Sequence, residues 1–298
     1  MNVKLPPSCM LAALLVSIFW AGHAFADGAG KGPQPGFEKA WTAKTGDWNR
    51  GIAVAPWGDV VSLASGVLRV HASDSGQILD EIKICYPVEN GFGFIDETNA
   101  VLICEKEIQN ISFPAGVPKK VMQLKAQARA AALQGDLVAV ADDKRTVAVY
   151  SVKTWKVIDS FTADDDVTGL ALSHDGSHLA VGLASGVISM RDLGAKKTKK
   201  FWEGGGSSVD ALAFSPDDSK LFADSGSFKA SVWDVDQAAQ LIEYKTGSWL
   251  VEARFLSPTL VAATGSDGFV LYESAGEPLK TLNYTDKALP PVAEGLGA

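Results

Sequence analysis

Repetition constrains this chain more than any other feature. An apolar run ending in a polar turn occurs at Leu170-Ala171-Leu172-Ser173-His174-Asp175-Gly176 and again at Leu212-Ala213-Phe214-Ser215-Pro216-Asp217-Asp218. Weaker copies centre on Val54, Phe94, Leu133 and Phe255, and the six central positions are 40, 39, 39, 42 and 41 residues apart. A second column, His71, Ile111, Tyr150, Arg191, Trp233 and Tyr272, is spaced 40, 39, 41, 42 and 39. Two independent columns with one period of about 40 residues define a repeat architecture.

Each unit reads as four short strands separated by turns. In the fourth unit the strands are expected at about residues 167–173, 178–183, 187–193 and 197–202. Asp175-Gly176, Ser185-Gly186 and Gly194 supply the turns between them, because Gly tolerates positive φ and Asp or Ser bonds back to nearby backbone. No segment carries a sustained 3.6-residue apolar period, so helix is not expected. Four antiparallel strands per ~40 residues describe one blade of a β-propeller, which buries its faces only against neighbouring blades. The expected fold is therefore all-β, a propeller of six four-stranded antiparallel blades. The count becomes seven if a strand around Trp41 (residues 37–45) opens a further blade rather than closing the ring.

The units resemble the WD-repeat family over roughly residues 50–286. The resemblance is carried by Ala211-Leu212-Ala213-Phe214-Ser215-Pro216-Asp217 with Val232-Trp233-Asp234-Val235, and then by Met190-Arg191-Asp192-Leu193. The Gly-His pair that precedes the first strand in that family occurs in none of the units. Its Asp-His-Ser/Thr-Trp hydrogen-bond relay is therefore not expected in standard form. The resemblance implies a binding platform rather than a catalyst.

Residues 1–26 read as a cleaved signal peptide: Lys4, an apolar stretch from Met10 to Ala21, and Ala24-Phe25-Ala26 before Asp27. The expected organisation is a leader over 27–36, one propeller domain over 37–286 and a tail over 287–298. The expected location is the periplasm, with no stable membrane insertion after cleavage. The chain carries 27 basic and 35 acidic residues, a net charge of -8, which lacks the electrostatic footprint of a nucleic-acid binder. Cys85 and Cys104 are the two cysteines beyond the signal. Export favours a disulfide between them, and two separate buried thiols are the alternative.

In a propeller, the turn between the second and third strands of a blade shares a rim with the connections between blades. That rim collects the candidate partner-binding residues Trp48, Arg50, Tyr86, Asp143, Arg145, Asp165 and Trp249, since aromatics and Arg are what interfaces concentrate. Asp164, Asp165 and Asp166 form the densest charge and are weak candidates for a cation site. The histidines His71, His174 and His178 do not cluster with carboxylates at metal-ligand spacing, and no nucleophile elbow or triad is visible. No cofactor is expected.

The expected function is a non-catalytic, monomeric scaffold or accessory factor that binds another periplasmic or envelope protein, for instance in assembling an exported redox enzyme. The competing readings are a channel-site enzyme or a small-ligand or cation binder. Quinoprotein dehydrogenases and lactonase-like propellers set the patterns for these. The former's Ala-x-Asp-x-x-Thr-Gly-x-x-x-Trp repeat is only echoed at Ser73-Asp74-Ser75-Gly76-Gln77. A third reading is a structural subunit whose ring another chain completes.

Overall fold

The computed structural model describes residues 49–64, 66–202, 207–226, 228–246, 250–265, 268–273 and 278–283. The signal peptide, leader, strand around Trp41, tail, Trp48 and Trp249 lie outside the described residues.

The described residues form six four-stranded antiparallel sheets and no helix. None of them is thus in a helix long and apolar enough to cross a membrane. Sheet one contains β1 (Asn49–Val54), β2 (Val60–Ala64), β3 (Val67–His71) and β4 (Ile78–Lys83). Sheet two contains β5 (Pro87–Phe94), β6 (Asn99–Cys104), β7 (Glu107–Ser112) and β8 (Val117–Gln123). Sheet three contains β9 (Ala128–Gln134), β10 (Leu137–Asp142), β11 (Thr146–Ser151) and β12 (Val157–Thr162). Sheet four contains β13 (Val167–Leu172), β14 (His178–Leu183), β15 (Ile188–Asp192) and β16 (Lys197–Trp202). Sheet five contains β17 (Leu212–Phe214), β18 (Lys220–Gly226), β19 (Lys229–Asp234) and β20 (Ala239–Lys245). Sheet six contains β21 (Leu250–Ser257), β22 (Leu260–Gly265), β23 (Gly268–Glu273) and β24 (Pro278–Asn283). The strands of sheet four fall within a residue of the expected ones.

In every sheet the strands pair in sequence order. The first strands β1, β5, β9, β13, β17 and β21 lie side by side in succession. The sheets stack face to face, as blades of a WD40-like propeller do. Five apolar layers fill the spaces between consecutive sheets. Leu63, Leu68, Leu102 and Ile111 sit between sheets one and two, and Val101, Ile103, Val138 and Val140 between two and three. Val147, Val149, Leu179 and Val181 lie between three and four. Ile188, Met190, Leu221 and Trp233 lie between four and five, and Phe222, Val232, Val261 and Ala263 between five and six. Second strands are buried on both faces, as in β10 and β14, whose sheets have a neighbour on either side. The fourth strands read as exposed, as in β16, where four successive residues from Lys197 face solvent.

The turns explain the recurring motif. Ser173 Oγ donates to Asp175 Oδ1 at 2.7 Å, and the Ser177 backbone N–H donates to the same oxygen at 2.8 Å. The His178 backbone N–H closes the loop onto Ser173 Oγ at 2.9 Å. Ser215, Asp217, Ser219 and Lys220 repeat the arrangement in the next sheet, at 2.6 Å for Ser215 Oγ to Asp217 Oδ1. The repeat is thus a hairpin lock in which one carboxylate satisfies the donors of a turn. Gly176 and Gly186 adopt positive φ as expected. In the turn after β15 that role falls to Lys196, with φ 54°, and not to Gly194. Asp192 stabilises this turn by accepting from the Ala195 backbone N–H at 2.7 Å.

Candidate functional site

The upper rim, which carries the connections between sheets, is fastened by backbone hydrogen bonds. The turn between the second and third strands of a sheet bonds repeatedly to those connections. Asp143 N–H donates to Gln127 O at 2.8 Å, Ala163 N–H to Arg145 O at 2.8 Å, and Ala184 N–H to Asp166 O at 2.8 Å. A Cβ built on Gly182 would run into the Val209 carbonyl, and one on Gly169 would lie 2.7 Å from the same oxygen. Only glycine lets the connection into sheet five pass this close.

Cys85, in the connection before β5, and Cys104, at the end of β6, form a disulfide with Cα atoms 6.0 Å apart. It pins the segment carrying Tyr86, which is 56% exposed while Pro87 beside it is buried. Glu105 N–H also donates to Tyr86 O at 3.2 Å. Tyr86 is therefore held by its backbone and presented outward, not packed between blades.

Arg145 is the centre of the charged part of this rim. It sits in left-handed conformation, φ 65°, at the turn between β10 and β11. Its Nε donates to Asp166 Oδ1 at 2.8 Å and its Nη1 to Asp164 O at 3.3 Å, while Nη2 lies 3.6 Å from Asp165 Oδ1. The Asp166 carboxylate raises the Arg145 pKa, and the Asp166 backbone N–H holds that of Asp165 below the usual carboxylate range. Arg145 thus pairs with two carboxylates, Asp165 and Asp166, of the aspartate trio that sequence singled out as a weak cation candidate, and reaches Asp164 only at its backbone oxygen. Among the described residues no group of three or more His, Cys, Asp or Glu is arranged to hold a metal. Arg145 and Asp165 come together as a pair, and Asp143 lies on the same turn, exposed. Of Arg50 only the backbone, at the start of β1, is described.

Two polar contacts between sheets lie outside the sequence-derived set. Arg191, from the third-strand column, reaches Asp159 in the preceding sheet through Nε at 2.8 Å and Nη2 at 3.0 Å. Both residues are buried, Thr198 Oγ1 accepts from Nη1 at 3.2 Å, and the guanidinium carbon lies 4.6 Å from the centre of the Phe161 ring. Arg191 holds the Asp159 pKa below its ordinary value. On the lower rim Asp218 accepts from the His174 and Asp175 backbone N–H groups at 2.8 and 2.9 Å, and the His174 ring is 2.9 Å from Asp218 Oδ1. These clamps join sheet three to four and four to five. The Asp175 and Asp217 motif halves announced the turns, but nothing in sequence announced the cross-sheet partner.

A fragment of the expected relay survives in sheet one. His71 replaces the third-strand Trp, and its Nε2 is 2.8 Å from Ser62 Oγ on β2, both residues wholly buried. In sheet five the Trp is present, but the register puts Ala223 where Ser62 stands. His71 faces Val60, two residues before Ser62, and Trp233 faces Leu221, two before Ala223. Trp233 Nε1 is accordingly buried with no acceptor among the described residues.

Residues 132–204 match the family model of the anaphase-promoting complex subunit 4 WD40 domain. Over these residues the chain is WD-repeat-like. The match runs from within β9 to just beyond β16, so it takes in the third and fourth sheets almost whole. No curated protein matches the chain. WD40-type domains serve in general as protein-interaction scaffolds.

Proposed function

We propose that the chain is an exported, periplasmic WD-like scaffold: a closed six-bladed ring that holds another envelope protein on its upper rim and catalyses nothing itself. The observation that carries this reading is the WD40-type match over almost all of two sheets. Rim turns and connections tied together by backbone hydrogen bonds support it. A rigid ring with pre-ordered rim loops loses little conformational entropy when a partner lands on it. Tyr86 and Arg145 are the side chains of greatest binding value on that rim, one exposed and aromatic, the other fixed by the aspartates. Support for assembly of an exported redox enzyme is one role such a scaffold could serve.

The reading is tested by tagging the chain in its own host, releasing the periplasm and identifying what elutes. The expected result is a stoichiometric protein partner that is lost from the Tyr86→Ala and Arg145→Ala variants. A chain retained in the cytoplasm, or a lone monomer in the periplasm, contradicts it.

A further inference from the structure

The lower rim carries a feature that the hairpin locks do not explain. A cavity of ≈ 300 Å³ lies between sheets one and two, with Trp57, Val70, Phe113 and Pro114 as apolar lining and Asp80 and Glu97 at its edge. It brings together the turn after β1, the turn after β5 and the turn after β7. The last of these lies close against the neighbouring sheet, since a Cβ on Gly116 would stand 2.8 Å from Ile82 Cδ1 and 3.5 Å from Asp80 Oδ2.

The apolar lining is held in place. Trp57 packs on Phe113 and Phe94 with ring centres 5.2 and 5.4 Å apart, and Phe94 lies 5.6 Å from Phe113. Trp57 Nε1 donates to Asp59 Oδ2 at 2.9 Å, which fixes the indole. Yet Trp57 remains 44% exposed, an immobilised aromatic with a free face of the kind that anchors interfaces. The volume is at the lower end of the ~300–1,000 Å³ usual for ligand sites, room for one large side chain. Because Trp57 is exposed, a side chain carried on a chain segment reaches the cavity while the segment itself stays at the rim.

The charge at the edge has one sign. Among the described residues neither Asp80 nor Glu97 has an ion-pair partner, in contrast to Asp165 and Asp166, which pair with Arg145 on the upper rim. The whole chain carries a net charge of -8, so a basic partner is also steered toward it. We infer that this cleft docks a protein segment that inserts one aromatic or branched apolar side chain beside a lysine or arginine. The inference rests on the scaffold reading and gives that scaffold a second surface, opposite the first.

The test follows the Trp57 indole N–H resonance in the ¹⁵N-labelled chain, assigned by its loss in Trp57→Phe. The probe is the unlabelled peptide acetyl-Gly-Lys-Trp-Lys-Gly-amide. The expected result is a saturable shift, at least tenfold weaker for the peptides with Ala in place of Trp or Glu in place of Lys. Asp80→Asn combined with Glu97→Gln, both exposed and outside the apolar layers, is expected to weaken the lysine peptide about tenfold and to reduce its salt dependence. No shift at Trp57, an equal response to all three peptides, or free indole binding as tightly as the lysine peptide overturns the inference. If Trp57 is unmoved while the upper-rim partner still co-purifies, this surface alone is overturned; if the partner is absent too, both readings fall.

Discussion

Arg191 and Asp159 show how a single pair can decide whether two sheets stay together. Each is nearly excluded from water, with side chains 10% and 3% exposed. Desolvating both ions offsets much of their attraction, so the pair contributes little beyond what a well-packed apolar pair would. Removing one member is different, because the other is left charged and buried. Arg191→Ala should destabilise the chain by about 3–5 kcal/mol in denaturant unfolding. Replacing both residues by apolar ones should recover most of that loss; a single variant as stable as the parent would refute the strut. Trp233 makes the converse case. Ala223→Ser supplies the hydroxyl that Ser62 offers His71 in sheet one. It should raise stability by about 1 kcal/mol, the worth of one net hydrogen bond, seen as a higher melting temperature. A lower one would mean that Trp233 Nε1 has no room for that partner. Arg191 and Trp233 were visible in sequence as members of one column, but neither Asp159 as the partner of Arg191 nor the lack of an acceptor for Trp233 was legible there.

At the scale of the element, the hairpin locks tie stability to acid. Asp175 is pushed down to about 2, first by the Ser177 backbone N–H and then by the hydroxyls of Ser173 and Ser177. Asp217 is lowered in the same way, first by Ser215. A carboxyl with a depressed folded-state pKa contributes fully above its unfolded value, about 4, and loses that contribution as pH falls through about 2. The gap in melting temperature between the parent and Asp175→Asn should therefore narrow from pH 5 to pH 2; a constant gap contradicts the lock. The disulfide acts on the element that bears Tyr86. Cys85→Ala combined with Cys104→Ala should cost about 3 kcal/mol for a separation of 19 residues, measured against the parent by urea unfolding. Here sequence was informative, because the recurring Ser-x-Asp turn and the positions of the two cysteines are local signals with a fixed place in the repeating unit. The lower cleft was not legible: Trp57 comes from one turn of the first unit, Phe113 and Pro114 from one turn of the second, and they share no motif. Only the stacking of sheets brings them together.

For the whole molecule, the period of about 40 residues was sufficient to give units of four antiparallel strands and, in the fourth unit, their bounds within a residue. Function was less legible, because binding residues on a scaffold sit in turns that the repeat does not constrain. The described sheets present two rims of different character. On the upper one, Arg145 pairs with Asp165 and Asp166 and Tyr86 stands out; on the lower one, a fixed indole lies beside Asp80 and Glu97. Site-specific photo-crosslinking in the native host tests the scaffold claim most directly. A benzophenone side chain is placed at position 86 on the upper rim, at position 57 on the lower, and at position 199 on the exposed face of β16 as a control. The account predicts discrete protein adducts from the rim positions and none from position 199. Adducts absent from both rims, or equally abundant from position 199, would contradict it.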